Sequence, residues 1–188
     1  MLVSLATEQG FPYWLAMATI LRGWALSDAG EIEQGLAEML RGLTAFRATE
    51  AQLWVPYFLG LVGEVHARAG EPVKGLGFLS EALEHVGQTG ERWFEAELHR
   101  RTGEILLDLP EPDEAEAEIR IRRALEVARR PDAKMWQLRA ATSLARLWAG
   151  QGEEREAHDL LAPIYGWFSE GFETPDLKEA KELFVELQ

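Results

Sequence analysis

Three of the four histidines in this chain stand four residues after a glutamate, in the pairs Glu81–His85, Glu95–His99 and Glu154–His158. On a helix that spacing sets both side chains on one face, and two such pairs brought together could hold a zinc ion. The pairs are far apart in sequence, however, and none has a third or fourth ligand beside it. Glutamate is also abundant, so solvated side-chain pairing is expected of them, not metal binding. Other chemistry is as thin. No phosphate-binding GxxxxGK sequence followed by serine or threonine is present. The nearest glycine cluster, Gly75–Leu76–Gly77, falls inside a predicted helix and follows no strand, which argues against a dinucleotide fingerprint. No serine or threonine sits in a nucleophile-elbow sequence. With 32 acidic residues, chance carboxylate pairs are inevitable and carry no information. The chain is therefore expected to hold no catalytic residue, no cofactor and no metal.

Charge narrows the partners. The 188 residues include 19 basic and 32 acidic side chains, a net charge of −13, and such a surface repels phosphate backbones. The basic run Arg120, Arg122, Arg123, Arg129 and Arg130 is interleaved with Glu114, Glu116, Glu118 and Glu126. Three- and four-residue spacings there predict ion pairs on a solvated helix face. Nucleic acid is not an expected partner. The chain has no cysteine, which excludes disulfides and thiolate metal sites and fits a reducing compartment. No apolar run approaches the roughly 20 residues that span a bilayer, and the opening MLVSLATEQG has no basic region of a signal peptide. A cytoplasmic protein without membrane contact is expected.

The elements that would position any site follow a period. ILRGWALSDAGE (20–31), LVGEVHARAGE (61–71), HRRTGEILLDLPE (99–111) and TSLARLWAGQGE (142–153) align, with Gly23, Gly63, Gly103 and Ser143 falling 40 residues apart. Seven residues after each stands a chain breaker: Gly30, Gly70, Pro110 or Gly150. Trp14, Trp54 and Phe94 keep the same step, whereas Trp136 follows after 42. Each unit reads as two helices. In the first, Trp14, Met17, Ala18, Leu21 and Ala25 recur at helical spacing, and Gly30 suits a left-handed cap. The second opens on Glu31 and Glu33, favourable at a helix N-terminus, and continues through Ile32, Leu36, Met39, Leu40 and Leu43. The same grammar predicts helices at 51–69 and 71–88, 91–108 and 112–129, and 133–149 and 153–169. Pro72 and Pro112 are placed in first turns, where a missing N–H costs nothing. Small residues recur where two antiparallel helices must approach: Gly23, Gly63, Gly103 and Ser143 on first helices, and Gly35, Gly75, Ala117 and Ala157 on second ones.

This order of glycine, acid, small residue and Ala–Leu resembles the tetratricopeptide (TPR) motif. Repeat two shows it best, in Gly63, Gly70, Glu71, Gly75, Ala82 and Leu83. Repeat three follows with Gly103, Ala117, Ala124 and Leu125. The family unit has 34 residues, whereas this one has about 40. The wording of FPYWLAMATILRGWAL, ERWFEAELHRRTGEILL, LRAATSLARLWAGQG and LLAPIYGWFSEGFETPDLKEAKELFVEL is similar to the C-terminal repeat region of bacterial signal-transduction ATPases, often fused to adenylate or guanylate cyclase domains. The expected fold class is all-α: a TPR-like α–α superhelix, a right-handed solenoid of antiparallel helix hairpins with a C-terminal capping helix. The expected organisation is one structural domain. In it, 1–10 ends a preceding, truncated repeat, repeats occupy 11–50, 51–90, 91–130 and 131–170, and a capping helix occupies 174–188. Thr174, Pro175 and Asp176 mark the start of that helix.

The resemblance implies a regulatory, non-catalytic array that takes a peptide, a protein domain or a small effector in a groove lined by first helices. By the alignment, the groove residues are Met17, Trp24 and Asp28, then Tyr57, Glu64 and Arg68, then Glu97, Arg100, Glu104 and Asp108, then Gln137 and Trp148. Trp24 and Trp148 could instead pack between repeats. Arg68 and Arg100 could receive a carboxylate-bearing peptide, or be neutralised by Glu64, Glu97 and Glu104. Partners are expected to be proteins or peptides, or upstream domains of the same polypeptide. The alternative is a purely structural or oligomerising array, with a homodimer formed through the exposed N-terminal repeat edge.

Overall fold

The computed structural model describes residues 2–129 and 133–187. Arg130, and with it the 130/131 boundary expected between the third and fourth repeats, lies outside the described residues. Among them the chain forms α-helices and no strand. The order is α1 (Leu2–Glu8), α2 (Pro12–Asp28), α3 (Ile32–Arg47), α4 (Val55–Arg68), α5 (Pro72–Thr89), α6 (Glu95–Leu107), α7 (Glu114–Ala128), α8 (Lys134–Gly150), α9 (Glu154–Tyr165) and α10 (Pro175–Glu186). The chain divides into two units, Met1–Arg92 and Trp93–Gln188. The first holds the hairpins α2–α3 and α4–α5 with α1 packed on α2, and the second holds α6–α7 and α8–α9 with α10 packed on α8 and α9.

The glycine alignment is realised as backbone contact. A Cβ built on Gly23 would lie 2.6 Å from the carbonyl oxygen of Gly35, and one on Gly35 would lie 2.5 Å from that of Gly23. Gly63 and Gly75 repeat the arrangement at 2.9 and 2.6 Å, and a Cβ on Gly103 would meet Ala117 O at 2.9 Å. Side chains are excluded there because the helix backbones touch.

Apolar residues fill the rest. In the first unit Ile20, Met39, Phe46, Phe58, Leu59 and Leu79 are fully buried. Phe46 joins three helices, with its ring 5.2 Å from Tyr13 of α2 and 5.0 Å from Phe58 of α4. In the second unit Ile121, Leu138, Leu144, Leu161, Leu177 and Ala180 belong to one buried cluster to which α10 contributes. Burying a leucine or phenylalanine stabilises by about 1.5–3 kcal/mol, so such stacking contributes more than helix propensity.

Five local expectations need correction. Helix α4 starts at Val55, not 51, because Trp54 takes a left-handed backbone (φ +73°) ahead of Pro56 in the first turn. In the last repeat the left-handed glycine is Gly152 (φ +83°), while Gly150 is still helical. Pro112 precedes the N-cap of α7 and lies outside its first turn; Asp113 caps that helix by accepting from Glu116 N at 3.0 Å. Helix α9 stops at Tyr165, not 169, since Pro163 removes a donor from its last turn and Gly166 follows. At α10 the proline start stands, yet Thr174 Oγ1 donates back to Gly171 O and does not cap.

Candidate functional site

In the second unit, α6 presents Glu97, Arg100, Arg101 and Glu104 at spacings of three, four and seven residues, so all four share a helical stripe. Beside it α8 presents Arg139, Thr142, Ser143 and Arg146, and α10 adds Asp176 and Glu179. Glu97 is the floor, 1% exposed. Arg100 grips it with a fork, Nε and Nη2 donating at 2.8 and 2.7 Å. Arg101 Nε donates to the same carboxylate at 2.9 Å, and Arg139 Nη1 at 3.3 Å. Arg100 also donates to Glu104 and to Ser143 Oγ, whose own proton goes to Glu104 at 2.8 Å. Arg139 turns its remaining nitrogens to Asp176 at 2.8 and 3.1 Å, its guanidinium lying 5.2 Å from the Trp136 ring centroid. At the rim, Arg146 donates to Glu179 at 2.7 Å.

The electrostatics follow from that geometry. Burial alone would raise the Glu97 pKa. The Arg100 hydrogen bonds and the charges of Arg100, Arg101 and Arg139 outweigh it and hold the carboxyl at about 2. Burial likewise opposes the charge of Arg100, but Glu97 and Glu104 keep it firmly protonated. Between these side chains lies a polar cavity of about 210 Å³, lined by Arg100, Arg101, Arg139, Thr142, Ser143, Asp176 and Glu179.

The residues expected to line a groove are distributed as follows. Glu97, Arg100 and Glu104 are brought together, and Arg100 is neutralised internally. In the first unit Arg68 reaches from α4 to α2, donating to Ser27 O at 2.6 Å and lying 3.6 Å from Asp28 and 4.0 Å from Glu64. Tyr57 packs edge-on against Trp54 and lies against Phe58. Met17 and Trp24 are half-buried, and the Trp24 indole nitrogen is enclosed without an acceptor. Asp108 is exposed, and Gln137 accepts from Lys134. Trp148 stands apart from the Glu97 cluster: its Nε1 donates to Glu118 at 3.1 Å and Arg122 lies over its ring, so it packs on α7.

Sequence reasoning missed Arg101, Arg139, Ser143 as a polar ligand, Asp176 and Glu179. The signal was the 42-residue step from Phe94 to Trp136. Counted with that step, Arg139 stands at the register of Glu97.

Of the Glu–His pairs, Glu95–His99 is buried and not solvated, and His85 and His158 have other neighbours. Glu81 bonds Arg47 of α3, and His85 Nε2 lies 3.1 Å from Gln52 O. Glu95 is buried, and His99 is enclosed with Nδ1 unpartnered; burial, aided by Arg120 and Arg123, lowers its pKa to about 4. His158 stacks on Phe184. Among the described residues no group of three or more His, Asp or Glu side chains is placed to hold a metal ion, and no helix is long and apolar enough to cross a membrane. The basic run forms ion pairs along α7: Arg120–Glu116, Arg122–Glu118 and Arg123–Glu126.

Solved structures share the helical fold. The nearly identical TPR-like repeats of a kinesin light chain-type protein of Podosopora anserina match with a TM-score of 0.67 at 12% identity, covering 94% of this chain and 86% of that one. A single-residue variant of it gives 0.69 at 12% identity, with 94% and 85% covered. No protein-family model matches the chain, and no curated protein sequence matches it. The likeness shows the fold, which is all-α and TPR-like.

Proposed function

We propose that this chain is a non-catalytic interaction and regulatory array, the C-terminal sensor or scaffold of a larger bacterial signalling ATPase or nucleotidyl cyclase, acting in the cytoplasm. The observation that supports this most is the use made of the first helices. Their buried sides hold hairpins together, while their other sides carry partly exposed charged groups fixed by ion pairs: Asp28, Glu64 and Arg68 in one unit, and Arg101, Arg139 and Glu104 in the other. Arginines held in place lose little freedom when a partner arrives, which favours recognition. The partner would be a peptide, a protein domain or an upstream domain of the same polypeptide. The wording of the sequence supports the signalling context. Titrating the chain against the NTPase and cyclase segments encoded upstream, and following nucleotide turnover with and without it, tests the reading. Binding with altered turnover is expected; neither binding nor altered turnover would overturn it.

A second reading, homodimerisation through the N-terminal edge, has its own observation. Leu5, Phe11 and Trp14 are each more than half exposed. Between α2 and α3 lies a cavity of about 270 Å³, lined by Pro12, Leu15, Ala16, Thr19, Gly42 and Ala45 together with Arg22 and Arg41. Light scattering over a concentration series decides it, and a mass that stays at one chain excludes the dimer.

A further inference from the structure

We infer that the cavity between α6, α8 and α10 is a binding site for a small zwitterion, of the class of a free α-amino acid. This goes beyond partner binding by the helix faces and does not depend on it. Size and lining set the first limits. At about 210 Å³ the cavity is below the 300–1,000 Å³ typical of drug-sized ligands, so its occupant is small. Its lining side chains are guanidiniums, carboxylates and hydroxyls, so an apolar molecule would gain nothing by entering.

Charge sets the next limit. The guanidiniums of Arg100, Arg101 and Arg139 are offset by the carboxylates of Glu97, Glu104 and Asp176. Both signs are present and they cancel. A lone anion or lone cation would therefore leave an uncompensated charge in a partly desolvated site, which is costly. A zwitterion brings its own balance.

The rim supplies groups that can turn to it. Arg100 is committed to the floor, with a side chain 13% exposed, whereas Arg146 and Glu179 are both 52% exposed. An ion pair so exposed contributes little and exchanges readily for a ligand. Glu179 would receive the ammonium group, and Arg139, a third exposed, the carboxylate. Because Asp176 and Glu179 both come from α10, the site is complete only while that helix is docked.

The test uses the purified chain and the twenty free L-α-amino acids as probes, first by thermal shift and then by isothermal titration, each with its N-acetyl derivative and its amide. At least one free amino acid is expected to bind with a Kd in the millimolar range or tighter and to raise the melting temperature. Its N-acetyl and amide forms, and the Glu179→Gln variant with unchanged circular dichroism, are expected to bind at least tenfold more weakly. No binding by any amino acid overturns the proposal. Equal binding of the N-acetyl form also overturns it, since the site would then take a simple anion. Unchanged binding by both Glu179→Gln and Arg139→Gln places the ligand elsewhere and overturns it too. Titration with upstream protein segments is a separate measurement, and its outcome is independent of these.

Discussion

Arg139 Nη1 lies 3.3 Å from Glu97 Oε1, tying α8 to α6 across 42 residues of sequence. Glu97 thereby faces three guanidiniums while itself fully buried. Replacing it by glutamine keeps the shape and removes the charge that compensates them. Breaking a buried ion cluster from one side costs about 3–5 kcal/mol. Glu97→Gln is therefore expected to lower the urea midpoint of the chain by that equivalent. A loss below about 1 kcal/mol would show the cluster to be solvated in solution.

Acid should act on two groups in two windows. His99 sits at about 4 against an ordinary 6.5, because burial first, and Arg120 and Arg123 next, disfavour the charged ring. Its folded pKa is depressed, so its contribution is complete above pH 6.5 and erodes as pH falls from 6.5 to 4. Glu97, at about 2 against 4.5, is depressed as well, and its contribution is complete above pH 4.5 and erodes from 4.5 towards 2. Urea midpoints measured from pH 7 to 2.5 should fall throughout. His99→Gln is expected to flatten the upper part of that profile and Glu97→Gln the lower part. Identical slopes in wild type and variants would contradict both assignments.

Glycine-to-alanine exchanges separate packing from propensity. In an unobstructed helix the exchange stabilises by about 0.5–1 kcal/mol, and Gly77 of α5 has nothing within 4 Å of its notional Cβ. Gly75, two residues earlier, would place that carbon 2.6 Å from Gly63 O. Gly77→Ala is thus expected to raise the melting temperature, whereas Gly75→Ala should destabilise by about 1–3 kcal/mol from forced separation of backbones. Calorimetry on the pair reads the opposite signs directly.

The docking of α10 combines Leu177, Ala180 and Leu183 in the core with two ion pairs to α8, Arg139–Asp176 and Arg146–Glu179. Asp176→Asn should loosen the helix without unfolding the unit, at a cost of about 1–2 kcal/mol for the lost charged hydrogen bonds. Hydrogen exchange would show it as faster exchange confined to residues 175–186. Acceleration spread evenly over α6 to α9 would instead mean that the unit opens as one body.

The fold was legible because its grammar is local and repeated. Gly23, Gly63 and Gly103 mark close contacts that any hairpin of this kind needs, and Gly30 and Gly70 mark turns with positive φ that other residues resist. The site was only half legible. Glu97, Arg100 and Glu104 share one helix, so their spacing alone associates them. Arg139 and Asp176 join through packing between helices, and the two-residue slip before Trp136 displaces Arg139 from the 40-residue register. The Glu–His pairs misled for a related reason. Spacing sets a shared face but does not say which face is buried, and Glu95 and His99 turn inward.

The hairpin contacts differ along the sequence in a way that bears on how the chain tolerates change. Gly23–Gly35 and Gly63–Gly75 touch through backbone on both helices, whereas Gly103 faces Ala117, and Ser143 and Ala157 occupy the corresponding places in α8 and α9. A contact between two bare backbones has no single-step substitution that preserves it, since a side chain on either helix strikes a carbonyl. A contact already holding small side chains can exchange one for another. The first two hairpins are therefore locked on both helices at this point and the third on its Gly103 side, so natural variation and engineered diversity at this register should be least in the first two hairpins.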